Sequence, residues 1–179
     1  MTTFISILRG INVSGQKKIQ MADLRALFED LGFQNVTTFI QSGNVIFKTE
    51  EALDLSLRIE KEIFKRYRFN VPVILRTSDE MIAILETNPF IQENHIDTDR
   101  LYLTFLAESP RQELITKVEV MNFNPERFVV VGREIYLYCP EGYGRTKLNN
   151  NFFEKKLDIT ATTRNWKTVN KLSELANVC

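Results

Sequence analysis

The fold class is decided by one stretch, VTTFIQSGNVIFK, which occupies residues 36–48. Val36 to Ile40 and Asn44 to Lys48 are short runs rich in β-branched and aromatic residues, a composition typical of strands. Between them lies Gln41-Ser42-Gly43, whose residues suit a turn. The stretch therefore predicts a β-hairpin.

The segments on either side of this hairpin predict a ferredoxin-like order of elements. A strand at Phe4 to Leu8 precedes a helix whose apolar residues recur every three or four positions until Gly32 ends it. A second helix is expected from Glu51 to Tyr67, and a strand follows at Val73 to Leu75. The predicted core face of the second helix comprises Leu53, Leu57, Ile63, Phe64 and Tyr67. The order strand, helix, strand, strand, helix, strand is the ferredoxin-like one.

The rest of the chain predicts a second, similar half. Thr77 and Glu80 form a capping box for a third helix, which Asn88-Pro89 ends. The polar segment that follows leads to a strand at Leu101 to Leu106, and Ser109-Pro110 is expected to start a helix. The remaining elements are predicted as a hairpin around Gly132-Arg133, a helix near Asn150 to Leu157 and a last helix from about Asn165, with Trp166, Val169, Leu172 and Ala176 along one face.

The prediction is thus an α+β protein of two ferredoxin-like halves, βαββαβ followed by βαββα. The expected division is an N-terminal half at residues 1–77, a helix and connecting segment at 78–100, and a second half with the C-terminal helix at 101–179.

Composition places this chain among folded proteins of balanced charge. It has 179 residues, of which 44% are hydrophobic and 26% charged, and this composition excludes disorder. Lysines and arginines total 23, as do aspartates and glutamates, so the basic excess of a dedicated nucleic-acid binder is missing. The two cysteines, Cys139 and Cys179, form no CxxC pair, which fits a reducing cytosol. No stretch approaches the length of a membrane span, so a cytoplasmic protein without membrane contact is expected.

Three polar stretches lie at predicted element ends, where backbone groups are available to a ligand. They are RGINVSG at residues 9–15, QSGN at 41–44 and TTRNW at 162–166. The first follows a strand and could direct N–H groups at an anion, with Lys17 and Lys18 adding charge. Its glycines match neither the P-loop nor the dinucleotide spacing, and the alternative is an ordered connection with glycines at positive φ.

The other two stretches have functional and structural interpretations of their own. QSGN places amides at a hairpin tip, but the same residues also serve turn formation, so the stretch matters only if it meets the first loop. TTRNW is predicted to open the last helix, with Thr163 as N-cap and Arg164 strengthening an anion site. Alternatively it is an ordinary cap, with Trp166 anchored in the core.

A further loop, at residues 143–147, combines Tyr143 with Arg145 and Lys147 and suits stacking plus phosphate contact, or is simply solvated. The predicted ligand-binding residues are Arg9, Gly10, Asn12, Gly15, Lys17, Gln41, Ser42, Asn44, Arg145, Lys147, Thr163, Arg164, Asn165 and Trp166.

Catalytic and metal chemistry have weaker support. His95 lies beside Asp97 and Asp99, but it is the only histidine and stands in a connecting segment, which is a poor place to fix catalytic geometry. Cys139 is expected to be a buried structural thiol. No metal site is predicted, no cofactor is indicated, and no residue is assigned a catalytic role.

The same stretches resemble the signatures of a known family, domain-of-unknown-function family 1697, which consists mainly of small bacterial proteins. The resemblance rests on residues 8–15, 38–47 and 163–166, in this order along the chain. Ser14 departs from it, since the family more often has a second glycine there. The resemblance implies a cytoplasmic bacterial protein with two α+β halves, and it implies no activity or site residue.

Two functional hypotheses follow. The first is a site for an anionic small molecule, such as a phosphate-containing compound or nucleotide, formed by the three stretches. Whether such a ligand is turned over stays open. The second is a regulatory module that binds nucleic acid or protein without catalysis, for which zero net charge disfavours nucleic acid.

Overall fold

The computed structural model describes residues 1–51 and 53–179. It divides into two compact units. The first unit comprises Met1–Ala83 with Lys171–Cys179, and the second comprises Ile84–Asn170.

The first unit contains the predicted ferredoxin-like order. Its elements are β1 (Thr2–Leu8), α1 (Met21–Asp30), β2 (Gln34–Phe39), β3 (Asn44–Thr49), α2 (Leu55–Tyr67) and β4 (Val73–Thr77). The sheet is antiparallel with strand order β2-β3-β1-β4, so the hairpin β2-β3 lies at one side and β1 is central. The hairpin predicted from residues 36–48 is confirmed.

The core of the first unit lies between this sheet and the helices α1 and α2. Alternate strand residues such as Leu8, Val45 and Phe47 join the buried face of α1 in one cluster. Phe47 is the centre of an aromatic group, with its ring centroid 4.5 Å from Phe33 and 5.3 Å from Phe28. Such aromatic pairs add to the stabilisation that area burial supplies.

The predicted core face of α2 is largely wrong. Leu53, Leu57 and Phe64 are 85%, 50% and 44% exposed, whereas the buried residues of α2 are Leu55, Ile59 and Ile63. Tyr67 packs partly buried against the core cluster. The helix begins at Leu55 rather than near Glu51, and the i, i+4, i+8 row of Leu55 then faces the sheet.

The helix after the first sheet, α3 (Ser78–Glu86), begins directly after β4. Its capping box is confirmed, because the Thr77 N–H donates to Glu80 Oε2 at 2.8 Å and the Glu80 N–H donates to Thr77 Oγ1 at 3.2 Å. These bonds satisfy N–H groups that the helix itself leaves unpaired.

The second unit repeats the first topology in full. Its strands and helices are β5 (Leu101–Leu106), α4 (Gln112–Glu119), β6 (Arg127–Val131), β7 (Glu134–Tyr138), α5 (Asn150–Leu157) and β8 (Ala161–Asn165). The last helix, α6 (Trp166–Val178), begins in this unit, and its residues from Lys171 onward belong to the first unit. Strand order is β6-β7-β5-β8, the counterpart of the first sheet. The protein therefore consists of two ferredoxin-like halves.

Two local predictions in this half are wrong. Residues 161–165 form the strand β8 rather than a helix start, so the second half is βαββαβ. The cause is that β8 runs into α6 with no turn between them, and its Ala-Thr-Thr-Arg-Asn sequence carries little apolar signal. In addition, α4 begins at Gln112 after Arg111, so Ser109 does not cap it.

The two sheets correspond residue by residue. Ile5 in β1 pairs with Arg76 in β4, and Leu103 in β5 pairs with Arg164 in β8. Each arginine is the fourth residue of its strand, and each strand ends one residue before a helix starts. This register aligns the three strands β1, β3 and β4 with β5, β7 and β8, whereas β2 has a register shift between Gln34 and Thr37 that β6 lacks.

Candidate binding cleft in the first unit

The end of β1 and the tip of the β2-β3 hairpin meet at one edge of the first sheet. The Leu8 N–H donates to Gly43 O, and the Arg9 N–H donates to Pro72 O, both at 2.9 Å. Residues 9–20 then form the long connection to α1. The first polar stretch and the hairpin stretch are therefore neighbours, as the ligand-site hypothesis requires.

Asn12 ties the two stretches together. Its Nδ2 donates to Ile19 O and to Gln41 O, each at 2.9 Å, while its Oδ1 accepts from the Ile19 N–H at 2.9 Å. Its φ is +55°, in the left-handed region that asparagine tolerates better than most residues. One side chain thus closes the loop on itself and fastens it to the hairpin tip.

Close packing and a lysine contact hold the remainder of this connection. Gly43 adopts φ +82°, and a Cβ placed on it would lie 2.5 Å from Ile11 Cδ1 and 3.0 Å from Leu8 Cβ. Lys17 donates from Nζ to Asn70 O at 2.6 Å, which anchors the middle of the loop beyond the end of α2. The loop is therefore fixed in place at several points.

A cleft of ≈ 670 Å³ opens beside this loop. It is lined by Asn12, Gly15, Lys18, Ile19, Gln20, Met21, Ala22, Asp23, Gln41 and Tyr67. Its volume lies within the range of small-molecule sites. The first turn of α1 forms one wall, and Gln20, the residue before the helix, makes no side-chain cap hydrogen bond.

The cleft contains charges of both signs. Lys18 and Asp23 are both exposed along its lining. Burial raises the pKa of the Tyr67 phenol, and the negative charge of Asp23 raises that pKa further. The phenol therefore stays protonated near neutral pH and can donate a hydrogen bond.

The structure distributes the predicted residues of the first unit among several roles. Asn12, Gly15 and Gln41 line the cleft. Lys17 is used in the contact with Asn70. Asn44 is fully buried, and its Nδ2 donates to Phe39 O at 3.0 Å and to Ser42 Oγ at 3.2 Å, so these two residues shape the hairpin.

Arg9 and Gly10 occupy the first positions of the loop, outside the cleft lining. Gly10 has φ +75° with open space around its Cβ position, which fits the turn interpretation of this glycine.

The third polar stretch lies in the second unit and has a different structure from the predicted one. Thr163 is within β8 and does not cap α6. The cap is Asn165, whose Oδ1 accepts from the Thr168 N–H at 2.8 Å.

Arg164 is 8% exposed, and one of its terminal nitrogens donates to Thr162 Oγ1 and Thr163 O, both at 3.0 Å. Trp166 is buried at the start of α6, as its structural interpretation expected.

Arg145 and Lys147 are exposed beside a small polar network in the second unit. Thr163 donates to Asn150 Oδ1 at 2.6 Å and shares a hydrogen bond of 2.7 Å with Thr104. The Tyr143 hydroxyl lies 3.4 Å from the same Asn150 oxygen. Among residues 1–51 and 53–179, no side-chain hydrogen bond or ion pair joins Arg145 or Lys147 to this network, and a ligand role for either stays a prediction.

Sequence reasoning missed three polar residues of the cleft lining, which are Gln20, Asp23 and Tyr67, and three apolar ones, which are Ile19, Met21 and Ala22. Asp23 looks like an ordinary acidic residue in the first turn of a helix, and Tyr67 was assigned to a helix core face. The available signal was the junction itself, because α1 begins where the polar loop ends.

The other chemistry considered from sequence gains no support. His95 is exposed, and within residues 1–51 and 53–179 no group of three or more potential metal ligands comes together. Cys139 is fully buried, and burial raises its pKa to about 11, so it is a structural thiol rather than a nucleophile. In the described part of the chain, no helix has the length and apolarity to cross a membrane.

The fold defines an α+β protein of two ferredoxin-like halves, and a cleft lies beside the polar loop of the first half. The chain belongs to the family of proteins of unknown function DUF1697, whose model matches residues 1–136. This match confirms the resemblance seen in the sequence.

The chain is also similar to a solved structure, that of the conserved bacterial protein SP0830 from Streptococcus pneumoniae. The two are 25% identical, the alignment covers 98% of each chain, and the TM-score is 0.78. No curated protein matches the chain.

Proposed function

We propose that the cleft of the first unit binds an anionic small molecule, of which a phosphate-containing compound or nucleotide is the fitting class. The observation that carries this proposal is the set of Asn12 side-chain hydrogen bonds, which joins the loop at Ile19 to the hairpin tip at Gln41 beside one cavity. Such a frame is formed before any ligand arrives, so little ordering is required on binding.

Two features of the lining support an anion as ligand. The N–H groups at the start of α1 carry partial positive charge and point out of the helix, and Gln20 does not occupy them with its side chain. Lys18 adds a full positive charge next to them, and no described residue forms an ion pair with it. Phosphate and carboxylate groups are the usual ligands of this combination.

We also propose that the protein is bacterial and that it is located in the cytoplasm. Similarity to a protein from Streptococcus pneumoniae supports a bacterial source. The two free cysteines, Cys139 and Cys179, support a reducing cytoplasm.

The test is a thermal-shift and calorimetric screen with inorganic phosphate, sugar phosphates, nucleotides and a short oligonucleotide. A ligand at a hundred times its Kd stabilises the folded state by about 2.7 kcal/mol, which is several degrees for a chain of this size. We expect Asn12→Ala to abolish the thermal shift, because the hydrogen bonds that hold the loop to the hairpin tip are lost. Lys18→Ala should lower the affinity for the ligand about tenfold, because a charge-assisted contact is lost.

Two matched variants locate the site. Lys61→Ala removes an exposed lysine of α2 that is absent from the cleft lining, and it should bind like wild type. Lys147→Ala does the same for the second unit. Loss of binding in Lys147→Ala but not in Lys18→Ala would overturn the assignment to the first unit. A shift with the oligonucleotide alone, steeply dependent on salt, would favour the nucleic-acid module instead.

A further inference from the structure

The charges of the cleft are unsuited to a bare anion. Asp23 lines the same cavity as Lys18, and neither forms an ion pair with a residue of the described chain. A carboxylate near a bound phosphate repels it and lowers its affinity. A site for inorganic phosphate alone would bind it more tightly without the carboxylate of Asp23.

Asp23 is instead a good acceptor for hydroxyl or N–H donors of a ligand. An ionised carboxylate offers two oxygens with about four acceptor positions. Tyr67 beside it adds a hydroxyl that donates or accepts, and Gln20 and Gln41 add amides from two other segments. Several dispersed acceptors and donors suit several hydroxyl groups better than a single ammonium group.

The volume of the cleft also favours a ligand larger than inorganic phosphate. At ≈ 670 Å³ it is far larger than one phosphate requires, and its lining includes Lys18, Gln41 and Tyr67, which come from three separate segments. A ligand that satisfies both charges must carry an anionic group for Lys18 and separate hydrogen-bond donors for Asp23.

We infer that the ligand is a phosphorylated sugar, free or as part of a nucleotide, with the phosphate held beside Lys18 and a vicinal diol held by Asp23 and Tyr67. This inference rests on the proposed function and specifies its ligand class. The role of Asp23 is then selection of a hydroxylated anion over inorganic phosphate, through the difference in affinity that one carboxylate creates.

The experiment is isothermal titration calorimetry of wild type and Asp23→Asn with inorganic phosphate, ribose 5-phosphate, 2-deoxyribose 5-phosphate and AMP. Asp23→Asn should lower the affinity for ribose 5-phosphate and for AMP by about tenfold, because a charge-assisted hydrogen bond to the diol is lost. The same variant should bind inorganic phosphate several-fold more tightly, because a repulsive charge is removed. In wild type, the deoxy sugar should bind less tightly than ribose 5-phosphate.

The control is Asp79→Asn, which removes an exposed carboxylate from the first turn of another helix, α3, outside the cleft lining, and should leave all four affinities unchanged. Thermal unfolding of both variants shows that each is folded in the assay. Equal binding of ribose 5-phosphate and AMP identifies a free sugar phosphate, whereas tighter binding of AMP identifies a nucleotide, and both results agree with the inference.

Failure of the inference and failure of the proposed function give different results. A uniform gain of affinity for every phosphate in Asp23→Asn, or equal binding of the two sugars in wild type, would refute the diol while keeping the anion site. Absence of binding by all four compounds to both proteins would refute the anion site itself.

Discussion

The two halves of this molecule share one topology but differ at one edge of their sheets. In the first half, residues 9–20 separate β1 from α1, and they meet a hairpin tip that contains Gln41 and Gly43. In the second half, residues 107–111 lead directly from β5 to α4, and the β6-β7 hairpin turns through Gly132-Arg133 alone. The topology therefore forms with a short connection at this position, and the long loop of the first half contributes residues to the lining of a cleft.

The long loop is costly in conformation, which argues that it has a use. Asn12, Ser14 and Lys17 adopt positive φ in addition to Gly10 and Gly15. Non-glycine residues in this region are strained, so the surrounding contacts must hold them there. The side-chain bonds of Asn12 and the anchor from Lys17 to Asn70 are the contacts that do so.

The largest effect is expected at the two hairpin glycines, which test whether the first hairpin is tied to its loop. Gly43→Ala should destabilise the protein by about 2–4 kcal/mol, because left-handed strain is added to a clash with Ile11 and Leu8. Gly132→Ala should cost only about 1 kcal/mol, since φ is +60° but the nearest atom to the new Cβ is Glu134 Oε2 at 3.8 Å. Urea unfolding of both variants measures the difference.

Equal losses in the two glycine variants would mean that Ile11 moves aside freely and that the loop is not packed on the hairpin. In that case the cleft beside it would lose its rigid frame, and the preformed-site argument would fail with it.

The fold was predictable wherever apolar period and turn chemistry agreed. The β2-β3 hairpin, the strand Leu101–Leu106 and the helix Asn150–Leu157 follow from such signals. The strand β8 did not, because five mostly polar residues form a strand only through pairing with β5. For α2, apolar residues lie on two faces, and only packing decides that Ile59 is buried and Leu57 exposed.

The candidate site was predictable for its loops and not for its helices. Asn12 and Gln41 stand out because both are amides in glycine-bearing loops at element ends, where side chains hydrogen-bond either backbone groups or a ligand. Asp23 and Tyr67 belong to helices that are distant in sequence, and they share a cavity only because the sheet brings α1 and the end of α2 together. Local patterns contain no information on such a meeting.

A smaller effect is expected from alkaline pH, and it belongs to the second half. Cys139 is buried there, and the matching register position of the first half is Thr49, which does not titrate. The pKa of Cys139 is about 11 when folded against 9.0 for an ordinary thiol, so its contribution is full below pH 9. As the pH rises from 9 to 11, the unfolded chain loses its proton first, and stability falls by up to about 2–3 kcal/mol.

Chemical denaturation at several pH values between 8 and 10.5 measures this loss. In Cys139→Ala the pH-dependent loss should be smaller than in wild type, whereas Cys179→Ala should retain it. A wild-type and a Cys139→Ala curve that run parallel over this range would show that the thiol ionises as easily when folded.

The smallest expected effect compares two buried hydroxyls at matching positions of the central strands. Thr104 in β5 shares a hydrogen bond with Thr163, whereas Ser6 in β1 is fully buried, and its Oγ has no partner in the described part of the chain. Thr104→Val should therefore cost about 1 kcal/mol, because it leaves Thr163 without its donor. Ser6→Ala should cost nothing or stabilise the protein slightly, because an unsatisfied buried hydroxyl is removed. The urea midpoints of the two variants measure this difference. A substantial loss of stability in Ser6→Ala would show that the Ser6 hydroxyl has a hydrogen-bond partner, such as a buried water. The two positions would then be alike.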